Sequence, residues 1–175
     1  NELKLSEIKL GMVDCIPEFD SKFAATLTGE MQVDETILLV GAGAIGSQVA
    51  INLARAGLNK WCILDGDVLL PHNLARHALD QRSVGINKAV ALCDAIIGIL
   101  PEAQVKFVAA DLFLRRGDDD QANQWKGSSL VLDCSASMPV SRHLAESDKF
   151  PRCISIFLSP NGRSLCVLCE DAERV

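Results

Sequence analysis

The sequence predicts one α/β unit of the doubly wound kind: a mostly parallel sheet that ends in an antiparallel hairpin. Two observations carry the parallel part. Four short β-rich runs, TILLV at 36–40, WCILD at 61–65, VKFVAA at 105–110 and SLVLD at 129–133, are continuously apolar, as strands buried on both faces are. The stretches between them have helical spacing, and strands alternating with helices imply parallel crossovers. A third observation adds the hairpin: two β-rich runs in RCISIFLSPNGRSLCVLCED flank Pro160-Asn161-Gly162, a turn signal.

Taken in order, residues 1–35 form an N-terminal segment with a helix over 18–30, and 36–175 form the main domain. The first crossover, AIGSQVAINLARAG, places Ile45, Val49 and Leu53 on one stripe. The second, INKAVALCDAIIGIL, does the same with Val90, Cys93, Ile97 and Leu100. The acidic run Asp118, Asp119, Asp120 reads as a solvated loop or helix start. A further helix is expected over 139–147, with Pro139 tolerable in its first turn.

A length of 175 residues suits one domain with a proper core. With 49% hydrophobic and 23% charged residues the chain reads as a soluble globular protein rather than a disordered one. It has no run of about 18 apolar residues and carries several acids in its first twenty positions, so neither a membrane span nor a secretory signal is expected. The odd count of 7 cysteines, several in apolar runs (Cys62, Cys93, Cys153, Cys166), reads as buried thiols in a reducing, cytoplasmic compartment. A net charge of -6 argues against broad nucleic-acid binding, which needs a basic face. Because the chain starts at Asn1 and ends in DAERV after a strand-like run, it reads as a domain of a longer protein.

The chemistry concentrates around LLVGAGAIGSQVA. Gly41, Gly43 and Gly46 follow a strand and open a helix. The first allows a tight turn, the second lets a phosphate approach the backbone, and the third lets the helix pack on the strand. The helix N-terminus offers unpaired N–H groups and partial positive charge to an anion. Asp65 ends the next strand, where an acid can accept hydrogen bonds from a ribose. To this point the Rossmann-like pattern suits a dinucleotide such as NAD and ATP equally. LDGDVLLPHNLARHALDQRSVGINKA separates them. Asp67, Asn73, Arg76 and Lys88 exceed what a dinucleotide needs, Asn73 and Arg76 share a face on a helical turn, and Arg76 and Lys88 are cations suited to a triphosphate.

GAGAIG, LDGDVLLPHNLARH, VGINKA and LVLDCSAS together resemble the ThiF, MoeB and HesA adenylating enzymes, which share their nucleotide domain with ubiquitin-activating enzymes. The resemblance runs from about Thr36 to Ser137. It implies an ATP- and magnesium-binding domain that adenylates the C-terminal carboxylate of a ubiquitin-like protein or peptide, within a homodimer or a multidomain protein. On that resemblance Gly41, Gly43 and Gly46 lie beside the phosphates and Asp65 holds the ribose. Asp67 and Asn73 flank the nucleotide, while Arg76 and Lys88 contact the phosphates.

The match has gaps. The family's D-C-T-D motif reads Asp133-Cys134-Ser135-Ala136 here, so the metal acid is replaced by Ala136. Asp133 either takes over the magnesium or caps the next helix. The family's N-terminal arginine, which reaches a partner subunit's site, has no counterpart before Arg55. Cys166-Val-Leu-Cys169 is one CxxC pair where the family's zinc site needs two, and it reads as core packing. No cysteine stands out as a thioester nucleophile; Cys134, beside the site, is the one of most interest. His72, His77 and His143 show no ligand spacing; His77 either lines the pocket or, the favoured reading, lies at the surface. Two other functions stay open: an NAD(P)-binding oxidoreductase domain, and a degenerate nucleotide-binding scaffold motivated by Ala136.

Overall fold

The computed structural model describes residues 11, 13–29, 34–113 and 125–171. Asp118, Asp119 and Asp120 lie outside them. Six strands form one sheet in the order β3-β2-β1-β4-β5-β6. These are β1 (Ile37–Val40), β2 (Lys60–Leu64), β3 (Gln104–Val108), β4 (Leu130–Asp133), β5 (Cys153–Leu158) and β6 (Leu165–Cys169). The first five are parallel, and β6 runs antiparallel to β5 through the expected turn, whose Gly162 takes a positive φ of 66°.

Burial alternates along the central strands. Ile37, Leu39, Trp61 and Ile63 enter the layer under α2 (Ala44–Arg55) and α3 (Lys88–Ile99). Leu38, Val40, Cys62 and Leu64 enter the opposite layer with Val140 and Leu144 of α4 (Met138–Glu146). Each fully buried aliphatic side chain contributes about 1.5–3 kcal/mol, so β1 and β2 stabilise both layers at once. Trp61, 1% exposed, satisfies its ring N–H on the Leu58 carbonyl at 2.9 Å. Pro139 sits in the first turn of α4, as expected.

Four expectations change. Strand β3 is an edge: Lys106 and Phe107 are exposed and only Val108 is buried, so this run is not covered on both faces. On α2 the buried residues are Gly46, Ser47, Ala50, Ile51 and Ala54, whereas Leu53 is exposed and Ile45 and Val49 are half-buried. Small residues let the helix approach the sheet closely, which pushes the larger ones to the flanks. On α3, Leu92, Cys93, Ile96 and Leu100 are buried and Ile97 is exposed. Cys166 is half-buried and Cys169 exposed on the edge strand β6, so this pair is not core packing.

The N-terminal helix is α1 (Ser21–Thr28), capped by the Asp20 carboxylate on the Phe23 N–H and ended by Gly29 at φ 74°. Its first N–H donates to Glu102 at 2.7 Å. A Cβ on Gly57 would lie 2.5 Å from the Ser21 carbonyl, so that glycine admits α1 against the turn after α2.

Candidate nucleotide site

A cavity of about 540 Å³ opens at the carboxyl ends of the strands, where open α/β sheets bind ligands. Gly41, Asp65, Gly66 and Asp67 form one wall, Ala110 to Phe113 after β3 a second, and Ser135, Ser137 and Val140 a third.

The loop glycines have separate roles. Gly41 takes φ 90°, and a Cβ there would lie 2.8 Å from the Ser135 backbone, which follows β4. At Gly46 a Cβ would stand 1.9 Å from the Gly41 carbonyl, so this glycine seats α2 on the loop. Gly43, at φ -81°, would meet nothing within 4 Å. The space beside it is open, as a backbone that receives a phosphate requires.

Asp65 is the hub. One oxygen accepts the Ala42 N–H at 2.7 Å and the other the Asp67 N–H at 2.8 Å. Burial raises its pKa above the usual carboxylate value, against these two bonds and the charge of Lys88. Carboxylate oxygens accept more than one bond each, so capacity for a hydroxyl remains.

Lys88, at the start of α3, is 9% exposed, and its Nζ reaches Asp67 Oδ2 at 2.7 Å. Asn87 joins helix and loop: its Oδ1 caps the Ala89 and Val90 N–H groups and its Nδ2 donates to the Asp65 and Asp67 carbonyls. Sequence reasoning overlooks Asn87, although an Asn just before a helix is a capping signal. It also passes over Gly66, where a Cβ would lie 2.9 Å from Asp111 N.

Asn73 and Arg76 occupy the helical turn that their spacing predicts, a 3-10 turn over Pro71–Ala75 with Arg76 at its end. Asn73 Oδ1 accepts the Leu70 N–H at 2.9 Å, and Arg76 is exposed; neither belongs to the cavity wall.

His77 is neither at the surface nor on the cavity wall: it is interior, 7% exposed, and its Nε2 lies 2.7 Å from the Ala42 carbonyl. A lone histidine carries no pattern that distinguishes a core position from a surface one.

Asp133 is 3% exposed. Ser135 Oγ and N–H donate to one oxygen at 2.6 and 3.0 Å, and Ser141 of α4 donates to the other at 2.5 Å. The expected cap is not seen, since Ser137 is the N-cap of α4 and has no side-chain cap bond; Asp133 instead ties the helix through Ser141, an arrangement that disfavours the metal reading. Both oxygens face protein donors, and the residue is absent from the cavity wall. Asp133 therefore does not fit a magnesium ligand as it stands. Among the described residues, no cluster of three or more His, Cys, Asp or Glu could hold a metal ion. Ala136, exposed and at φ 53°, occupies the left-handed region, which costs about 1–2 kcal/mol for a residue with a Cβ. Cys134 is 7% exposed, and burial first, then Asp133, push its thiol up to about 12. The thiolate is the reactive form, so this burial disfavours a nucleophilic role.

The family model described as "ThiF family" matches residues 30–148. The chain belongs to the ThiF family. Among curated ThiF relatives, the ATP-dependent ubiquitin transferase-like protein Cap2 of Enterobacter hormaechei is 35% identical over 128 residues. That match covers 73% of this chain and 21% of the relative. The molybdopterin-synthase adenylyltransferase of Salmonella typhimurium is 34% identical, over 63% of this chain and 43% of the enzyme. The chain thus spans less than half the length of either. Among solved structures, the E. coli tRNA N6-threonylcarbamoyladenosine dehydratase TcdA in complex with ATP superposes with a TM-score of 0.60 at 28% identity. The match covers 77% of this chain and 54% of TcdA. Among the described residues, no helix is long and apolar enough to cross a membrane.

Proposed function

We propose that the cavity binds ATP and that the chain is the adenylating module of a larger activating enzyme. One observation carries this reading: Lys88, a nearly buried cation, is held against the cavity wall by Asp67. A dinucleotide pyrophosphate needs only the glycine loop and the helix N-terminus, whereas a reaction at the α-phosphate needs cations.

In the proposed reaction a carboxylate oxygen attacks the α-phosphorus, and the bond to the bridging oxygen of the β-phosphate breaks. The products are an acyl-adenylate and pyrophosphate. Asp65 accepts from the ribose hydroxyls and the loop at Gly41, Gly43 and Gly46 receives the phosphates. Lys88 turns from Asp67 to the phosphate oxygens, and Arg76, exposed on its short turn, closes over the pyrophosphate. Asp67 and Asn73 flank the nucleotide. Magnesium would arrive with ATP and shield the triphosphate charge; the residues here fit no dedicated site for it, and Asp133 is assigned to anchoring α4.

The substrate is the C-terminal carboxylate of a ubiquitin-like protein or peptide, and the assembly is a homodimer or a multidomain chain. Cap2 is named a ubiquitin transferase-like protein, which supports that substrate class. No disulfide links the seven cysteines, which supports a reducing, cytoplasmic compartment. The test is ATP–pyrophosphate exchange by the longer protein with candidate carboxylate partners. Exchange dependent on a partner carboxylate is expected. ATP binding without exchange for any partner would favour the degenerate scaffold that Ala136 allows.

A further inference from the structure

Ala42, between the first two loop glycines, is fully buried, and its peptide groups are gripped from two sides. Its N–H donates to Asp65 and its carbonyl meets His77 Nε2, each at 2.7 Å. On the far side of the ring, Nδ1 accepts the Leu79 N–H at 3.2 Å. Since Nδ1 is an acceptor, the ring proton belongs on Nε2, which donates to Ala42; the neutral tautomer is the one that satisfies both contacts. Ser47 of α2 secures the same segment by accepting the Ala78 N–H at 3.1 Å.

We infer that His77 is a positioning residue for nucleotide binding: its neutral imidazole sets the Ala42 peptide and thereby the direction of the loop N–H groups. The inference rests on the nucleotide reading of the cavity. A second ring proton would point a donor at the Leu79 N–H, so one of the two contacts must break. Burial is the main influence holding the ring neutral, and the Ala42 carbonyl opposes it. Of the charged groups that reach the ring, Lys88 at the start of α3 and Arg76 beside it disfavour protonation, while Asp65 at the end of β2 favours it. Acid therefore acts on the loop through a group that touches no ligand.

The test compares the wild-type chain with His77→Gln, which keeps a donor and an acceptor but does not titrate, and His77→Phe, which fills the space without bonding. ATP affinity is measured by calorimetry from about pH 7.5 to about 5.5, across the ordinary histidine range. The wild type is expected to lose affinity several-fold more than the Gln variant as pH falls, a difference that cancels the titration of ATP itself. The Phe variant should bind about three- to tenfold more weakly at the upper pH, the worth of one hydrogen bond. Without ligand, the Ala42 N–H should exchange with solvent faster in the Phe variant. Parallel pH profiles for wild type and Gln, or unchanged Ala42 exchange in Phe, would overturn the inference. The Gln comparison stands even where Phe does not fold. A wild type that binds no ATP at any pH refutes the nucleotide reading instead, and the exchange measurement still judges His77.

Discussion

Lys88 and Asp133 are both nearly buried charged residues, yet they differ in how the structure uses them. Lys88 has one carboxylate partner, and the Asp67 side chain is 76% exposed, so removing the lysine leaves an anion that water can solvate. Lys88→Met should therefore fold with little loss of stability while slowing ATP–pyrophosphate exchange about 10²–10³-fold, the scale of a lost transition-state donor. Exchange at the wild-type rate would remove Lys88 from the chemistry. Asp133 is tied to Ser135 and Ser141 by three bonds, and breaking them takes an acceptor from two half-buried hydroxyls, of which Ser141 keeps the Ser137 carbonyl. Asp133→Asn should cost about 1–3 kcal/mol in denaturant unfolding and leave the magnesium dependence of exchange unchanged. A shifted magnesium requirement would return Asp133 to the metal.

At the scale of elements, α2 shows why a glycine motif is more than a pattern. Gly46→Ala puts a Cβ against the Gly41 backbone carbonyl, which no side-chain motion relieves, and should destabilise by about 1–3 kcal/mol. Gly43→Ala meets open space, so its unfolding midpoint should stay close to wild type while ATP affinity falls. Equal effects of the two changes on stability would contradict the separate roles assigned here. The same helix shows what sequence pattern leaves hidden. Period identified α2 and α3 as helices, but not which stripe of α2 is buried, because Gly46, Ala50 and Ala54 admit close packing precisely where hydrophobicity is low. Continuous apolarity identified β1, β2 and β4 as two-sided strands. It could not show that β3 and β6 end the sheet, since edge position depends on strand order. Of the site, Gly41, Asp65 and Asp67 were legible as cavity-wall residues, and Lys88 as their neighbour. His77 was not, because its partner is a backbone carbonyl 35 residues away in sequence. Nor did the sequence choose between the two readings of Asp133, since that depends on where Ser141 falls on α4.

For the whole molecule, His77 and Asp65 shape stability against pH with opposite sign. The folded value of His77 lies below its ordinary 6.5, so its contribution is complete above that pH and is lost as the unfolded chain takes up a proton below it. The folded value of Asp65 lies above 3.8, so the folded state holds its proton more tightly and part of the loss is recovered as pH falls toward 3.8. Thermal unfolding of the wild type should fall through the histidine window, and His77→Gln should flatten that fall. An unchanged slope would mean that other groups dominate.

The sheet, the three-sided cavity and the cation beside it converge on one claim, that the glycine loop serves a triphosphate rather than a dinucleotide. Calorimetry of the wild-type chain with ATP and magnesium, set against NAD under the same conditions, tests it directly. Binding of ATP that is weakened by Lys88→Met, with no heat from NAD, is the predicted result; saturable NAD binding with none for ATP would contradict it.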